Sequence, residues 1–238
     1  MFSFIVPAYN EEKYIEDCLN SIYAVDGFGD SEVIVVDNAS NDKTAEIVKT
    51  KFAHAKLIQE SRKGTGWARE VGFRASRGDF LAFIDADNQL PKDWLNLANK
   101  LIDSHKKYVA FSGPYIQDVI KTYGSFVYNL FYIPIAGVMD FLGLGGILFG
   151  GNMLIKRFAL EKIGGFDTHI VFWGDDTLIA KRLRKIGRIS FSNRLYVYSS
   201  GRRLQKQGLV RSGLLYLLNG FWVVIFNKPF HNTYKPYR

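Results

Sequence analysis

Asp85 and Asp87 stand two residues apart, directly after the apolar run 80–84. In an extended segment residues i and i+2 point the same way, so both carboxylates can converge on one cation. Carboxylate oxygens favour Mg2+ or Mn2+, which keep some water and take further ligands from phosphate oxygens. The pair therefore has the chemistry of holding a metal and a diphosphate. If the chain stays extended, Gln89 offers a third oxygen ligand. A lone Asp-x-Asp carries little weight, because acids are common in polar turns after strands. What gives it meaning is its surroundings.

Asp37 ends the apolar run 32–36 and suits either a grip on a ribose or base or a helix N-cap, a role open also to Asn38 and Ser40. Lys63 and Gly64 lie in a basic glycine loop, with Arg69 just inside the following helix. Helix starts favour anions and glycines admit close backbone approach, so these three are candidate phosphate contacts. Trp173-Gly174-Asp175-Asp176 precedes another helix. There one acid can serve as general base toward an acceptor hydroxyl while the other supports it; stabilisation of the helix start is the structural alternative. No G-x-G-x-x-G follows the first strand and no Walker A sequence occurs, which argues against dehydrogenase and P-loop chemistry. The four histidines show no ligand spacing. Cys18, the only cysteine, excludes an intrachain disulfide and a cysteine metal site.

These groups need elements to position them. Residues 2–6, 32–36, 56–59 and 80–84 read as strands. Residues 11–23, 44–52, 67–76 and 93–102 read as helices. The alternation predicts a parallel, doubly wound α/β sheet, which binds ligands beyond the carboxyl ends of its strands. Residues 8–11, 37–38 and 85–87 fall at such ends and should meet in one crevice. In the second half, residues 152–155, 189–192 and 195–198 read as strands, and 157–163 and 177–185 as helices.

The 238 residues suffice for one substantial domain, and the net charge of +8 suits an anionic partner or surface. No recognised nucleic-acid motif accompanies that charge. Stretches 126–151 and 209–226 are apolar and aromatic, but carry Asp140, Arg211 and Asn219. They read as interfacial, membrane-contacting helices, with buried core helices as the alternative. The chain opens on a strand-like run rather than a signal peptide. The expectation is a cytoplasmic site, at the inner face of a membrane.

Six segments in order then carry a resemblance: Val6-Pro-Ala-Tyr-Asn-Glu-Glu12, Val35-Val-Asp-Asn-Ala-Ser40, Asp85-Ala-Asp87, Gly150-Gly-Asn152, Gly164-Gly-Phe-Asp167 and Gly174-Asp-Asp-Thr177. Together they resemble family 2 glycosyltransferases, inverting enzymes of the GT-A fold. The resemblance spans roughly residues 2–200. It implies a single Rossmann-like, doubly wound mixed sheet with flanking helices; the composition of 201–238 adds a basic, apolar helical segment after it. The nucleotide-binding half would be about 1–105 and the acceptor half about 106–200. It further implies that Pro7, Ala8, Tyr9 and Glu11 line the nucleotide pocket and that Asp37 binds the nucleoside. Asp85, with Ala86 beside it, would be shared between ribose and metal, and Asp87 would hold Mg2+ or Mn2+. Gly151, Asn152, Trp173, Gly174 and Asp175 would face the acceptor, and Asp176 would be the catalytic base. Asp175 stands where the family has Glu.

The string Asp85-Ala-Asp-Asn-Gln89 is similar to the polyprenyl-phosphate sugar synthases, in which the glutamine joins the metal. The processive Q-x-x-R-W motif is absent; Arg202 or Arg203 occupies a comparable place and would meet the diphosphate. The partners implied are a UDP- or GDP-type sugar donor and a glycan or lipid-carrier acceptor. The competing readings are a sugar nucleotidyltransferase, which should show a glycine- and arginine-rich signature near the first strand, and a non-catalytic nucleotide-sugar-binding protein.

Overall fold

The computed structural model describes residues 1–117, 148–170, 174–202 and, beyond these, 208, 215, 218, 222, 223, 225, 226 and 230. Ten strands are described: β1 (Phe2–Ala8), β2 (Glu32–Asp37), β3 (Lys56–Gln59), β4 (Phe80–Ile84), β5 (Asn88–Gln89), β6 (Tyr108–Ser112), β7 (Tyr115–Gln117), β8 (Asn152–Lys156), β9 (Arg188–Phe191) and β10 (Val197–Ser199). The helices are α1 (Ile15–Tyr23), α2 (Thr44–Lys51), α3 (Thr65–Ala75), α4 (Trp94–Ser104), α5 (Arg157–Lys162) and α6 (Asp175–Leu183).

Seven strands form one sheet in the order β3-β2-β1-β4-β8-β6-β9. The pairs β1–β2, β2–β3, β1–β4 and β6–β9 are parallel, but β8 runs antiparallel to both β4 and β6. The sheet is therefore mixed, as the resemblance implied, rather than wholly parallel. A small second sheet, β5-β10-β7, lies beyond the end of β4. The sheet also runs unbroken across the boundary expected near residue 105, because β8 inserts between β4 and β6.

Both faces of the sheet are buried, which explains why its central strands are continuously apolar. Along β4, Ala82 and Ile84 join one core while Leu81 and Phe83 join the other. β1 divides likewise, with Phe4, Val6 and Ala8 on the first face and Ile5 on the second. α1 and α4 cover the first face through Ile15, Leu19, Ile22, Trp94 and Ala98. α5 and α6 cover the second through Leu160, Ile179 and Leu183.

Of the two apolar stretches read as interfacial, residues 126–147 and most of 209–226 lie outside the described residues. No helix among the described residues is long and apolar enough to cross a membrane. One residue of the second stretch, Val223, is fully buried against Ile170 and Leu178. At that point the stretch contributes to a core.

Gly72, inside α3, lowers intrinsic helix stability by about 1 kcal/mol relative to alanine. A Cβ there would collide with Ile5 Cγ2 and sit 3.3 Å from Val36 Cγ2. The missing side chain is what lets α3 lie directly on β1 and β2. Ile5 is β-branched, fully buried and unable to yield. Gly72→Ala should therefore lower stability by about 1–3 kcal/mol despite its better helix propensity. Urea denaturation measures this, and an unchanged or raised midpoint would contradict the packing argument.

Candidate active site

The loops that leave β1 and β2 are stitched side by side. The Asn10 N–H donates to Ser40 Oγ (2.9 Å), and Asn10 Oδ1 accepts from the Asn41 N–H (2.7 Å). The Glu11 N–H donates to Thr44 Oγ1 (2.7 Å), and the Glu12 N–H to Asp42 Oδ2 (3.0 Å). Asn10 and Ala39 both hold positive φ, at 53° and 63°. For alanine that conformation is unfavourable and persists because the surrounding bonds fix it. Tyr9 and Asp37 are thereby fixed as neighbours: the Asn38 N–H bonds the Ala8 carbonyl at 2.7 Å, and Ala8 pairs with Asp37.

Asn38, read as a capping candidate at the strand end, proves to be a buried clamp. Its Nδ2 donates to the carbonyls of Glu60 (3.1 Å) and Arg62 (2.8 Å), and its Oδ1 accepts from the Gly64 N–H (2.8 Å). The Gly64 N–H is thus committed to Asn38 rather than offered to phosphate. Lys63 is exposed and hangs over Tyr9, with Nζ 5.2 Å from the ring centroid. Asp37 is 4% exposed, and its Oδ1 has no hydrogen-bond partner among the described residues. A buried unpaired acceptor costs about 1–3 kcal/mol. It is the kind of atom that a ligand N–H or O–H would satisfy.

Beyond β4 the chain does not stay extended. The Asn88 N–H bonds the Asp85 carbonyl (2.9 Å), closing a turn over Asp85-Ala86-Asp87. Ala86 is buried in the core, and Gln89 is exposed in β5, one residue after the buried Asn88. Successive strand residues face opposite ways, so Gln89 stands on the other side from Asn88, whose Nδ2 holds the Gly151 carbonyl at 2.8 Å. The expected third ligand position thus rests on an extension that the turn removes.

Two arginines meet the acids. Arg69, expected at a phosphate, is 3% exposed. Its Nη2 lies 3.2 Å from Asp85 Oδ1, and its Nη1 pairs with Asp175 Oδ2. Burial alone would lower the Arg69 pKa, but Asp175, Asp85 and Asp176 more than offset it, so the guanidinium stays charged. Arg202 takes Glu11 in a fork at 2.7 and 2.6 Å and reaches Asp87 Oδ2 with Nε at 3.3 Å. Ser200 Oγ also donates to that oxygen (2.7 Å). Glu11, expected in the nucleotide pocket, is buried as the anchor of Arg202. Arg203 lies outside the described residues. Burial pushes the Cys18 thiol up, with Asp87, Asp85 and Glu11 adding to the effect, so it is no nucleophile.

On the opposite side, Gly151 fits under Asp85: a Cβ there would collide with the carboxylate. Its N–H donates to the Tyr115 hydroxyl (2.8 Å). Asn152, expected to face an acceptor, is instead fully buried. Its Nδ2 holds the carbonyls of Gly113 (3.1 Å) and Leu195 (2.6 Å), and its Oδ1 accepts from Trp94 Nε1 (3.3 Å). Trp173 lies outside the described residues. Gly174 has φ 83° and caps α6. Asp175 is bound to Arg69 and to Thr65 Oγ1 (3.3 Å). Asp176 accepts from the Thr177 N–H (2.7 Å). Desolvation, and after it the charge of Asp175, raise the Asp176 pKa to about 6 against the opposing pull of Arg69.

The residues present suit a hard divalent cation. Asp85 and Asp87 offer oxygen donors, and the Asp85 side chain is 41% exposed. Among the described residues no group of three or more His, Cys, Asp or Glu is arranged to hold an ion. Further ligands would therefore be phosphate oxygens and water, the usual manner for Mg2+.

Comparison with known proteins places this geometry. Residues 3–164 match the model of glycosyl transferase family 2. Poly(ribitol-phosphate) beta-N-acetylglucosaminyltransferase TarS of Staphylococcus aureus is 38% identical over 109 residues, 44% of this chain and 19% of that protein. Glycosyltransferase AglE of Haloferax volcanii is 28% identical over 186 residues, 73% of this chain and 58% of that protein. This chain thus spans about a fifth and somewhat over half of these relatives. A mannosyltransferase of Pyrobaculum calidifontis, solved with GDP-Man and Mn2+, superposes with a TM-score of 0.68 at 26% identity, covering 88% of this chain and 62% of that one. The mixed sheet is the GT-A fold. With the family model covering well over half the chain, the protein belongs to glycosyl transferase family 2.

Proposed function

We propose that this enzyme moves a sugar, with inversion, from a UDP- or GDP-type donor to an acceptor hydroxyl, with Mg2+ or Mn2+ held by Asp85 and Asp87. One observation carries the reading: Arg69 bridges Asp85, at the end of β4, to Asp175, beside Asp176 at the start of α6. Asp85 and the Asp175-Asp176 pair, about 90 residues apart, are thereby joined through one side chain, which supports reading them as one site. Relatives in the fold were solved with UDP-GlcNAc and with GDP-Man and Mn2+, which supports the donor class and the metal.

In this reading the partnerless Asp37 oxygen accepts from the nucleoside and Tyr9 flanks it, with Lys63 poised above. The metal, when bound, would neutralise charge on the departing nucleoside diphosphate. Arg202 sits against Asp87 and supplies positive charge at the same end of the site. Asp176 takes the proton of the acceptor hydroxyl while that oxygen attacks the anomeric carbon. A lipid-phosphate acceptor, the alternative drawn from the Asp-x-Asp-x-Gln string, is already an anion and needs no base. The raised pKa of Asp176, near neutrality where a general base works best, favours the hydroxyl.

The reading is tested by titrating the protein with UDP-, GDP- and dTDP-sugars in the presence of Mn2+. One of them should bind and be turned over; binding of none would overturn it. Asp87→Ala should reduce turnover at any Mn2+ concentration, by on the order of 10²–10³-fold. A variant with full activity would remove Asp87 from the metal.

The pH dependence follows from the raised pKa of Asp176. A base must be ionised, so kcat should be flat above about pH 6 and fall roughly tenfold per unit below it. Asp176→Asn should abolish this limb and lower kcat by about 10²–10⁴-fold. An acid limb that survives in Asp176→Asn would assign the proton elsewhere.

A further inference from the structure

Arg69, expected at a phosphate, serves in the proposed function only as a bridge, yet its surroundings are specifically built. It comes from the second turn of α3 and is buried, so it presents no open face to a donor. Its two terminal nitrogens go to acids from different elements, Asp85 after β4 and Asp175 at the start of α6. Thr65, one turn earlier on α3, holds Asp175 as well (3.3 Å). Gly150 leaves room for the guanidinium: a Cβ there would stand 2.6 Å from Nη2 and 3.2 Å from the central carbon. Gly151 leaves the same room for the Asp85 carboxylate. The glycine pair is thus explained by the bridge it covers.

We propose that Arg69 is a positioning residue, whose guanidinium ties the donor-side Asp85 to the acceptor-side Asp175 and so fixes where the Asp176 carboxylate stands relative to the donor. The inference rests on the glycosyl-transfer reading above. The planar fork of arginine can hold two carboxylates at a set separation, whereas a lysine ammonium is a point charge on a flexible stem and cannot. Asp176 gains its place through the chain: it follows Asp175 directly, at a helix start whose preceding residue, Gly174, is fixed at positive φ. A small displacement of a catalytic group can cost on the order of 10²-fold in rate while binding is untouched.

Three variants probe the bridge from different sides. Arg69→Lys keeps the charge and loses the fork. Asp175→Asn removes one anchor and leaves Arg69 on Asp85. Gly150→Ala disturbs the seat of the arginine without altering any polar group. For each, thermal melting reports the fold, equilibrium titration gives the donor Kd with Mn2+, and steady-state turnover gives kcat. The expected result is a donor Kd within about threefold of the parent and a kcat lower by about 10–100-fold. The combination of Arg69→Lys with Asp175→Asn should be no worse than the poorer single variant, because both break one link.

A merely structural arginine would not separate kcat from Kd in this way. If Kd weakens by the same factor as kcat falls, Arg69 is a donor ligand and the proposal is overturned. Unchanged kcat in folded Arg69→Lys, or losses that multiply in the double variant, would overturn it too. Should Arg69→Lys fail to melt cooperatively, Gly150→Ala and Asp175→Asn decide the matter by the same separation of kcat from Kd. Parent protein that binds no nucleotide-sugar overturns the glycosyl-transfer reading itself, and the bridge proposal with it; parent activity alongside unaffected variants overturns only the bridge.

Discussion

Carboxylates gathered in a sheltered crevice repel one another and lose hydration, so each must find a cation or give up its charge. That constraint organises this protein. Glu11, Asp85, Asp87 and Asp175 lie at the carboxyl edge of the sheet, and two arginines pair with all four. Arg69 joins Asp85 to Asp175; Arg202 joins Glu11 to Asp87. Asp176 follows Asp175 and, among the described residues, takes hydrogen bonds from the backbone and hydroxyl of Thr177; desolvation, and after it the charge of Asp175, raise its proton affinity. The four acids that an arginine touches are thus set apart from Asp176, which in the proposed reading exchanges a proton.

The sheet makes this gathering possible. β1, β2 and β4 are adjacent and parallel, so their carboxyl ends deliver Tyr9, Asp37 and Asp85 to one edge. β8 runs the other way, so its amino end, preceded by Gly150 and Gly151, arrives at the same edge. An antiparallel strand here brings a chain entry, not an exit, beside Asp85. Two glycines can then pass against the acid and its arginine. The small sheet completes the enclosure, because β10 pairs with β5 and carries Ser200 and Arg202 onto Asp87.

What is legible in the sequence follows from the range of the interactions involved. β1, β2, β4 and α1 are apolar with regular spacing, and their placement at the edge follows from general rules for α/β sheets. β5, β6 and β7 give no such signal: β5 is two residues long, β6 lies between lysines and a Gly-Pro turn, and each exists through its partner strands. The acids are recognisable as chemical groups, but their counter-ions are not. Nothing in the local sequence of Arg69 distinguishes a phosphate ligand from a buried bridge, because Asp175 lies 106 residues away. Asn38 and Asn152 escape a local reading for the same reason. Both are buried clamps whose partners are backbone carbonyls of remote loops.

The same distinction bears on acceptor chemistry. A base is useful only if it is ionised at the working pH and yet basic enough to take a proton. Asp176 meets both, because desolvation and Asp175 raise its proton affinity while Arg69, held one residue away on Asp175, limits the rise. Asp175 thus has two effects on its neighbour: its charge raises the Asp176 proton affinity, and its grip on Arg69 keeps the opposing charge close. An acidic pair in sequence can behave as a paired anion and a tunable base only where a buried cation engages one member. That asymmetry is what an acceptor hydroxyl requires and what an acceptor already carrying charge would not.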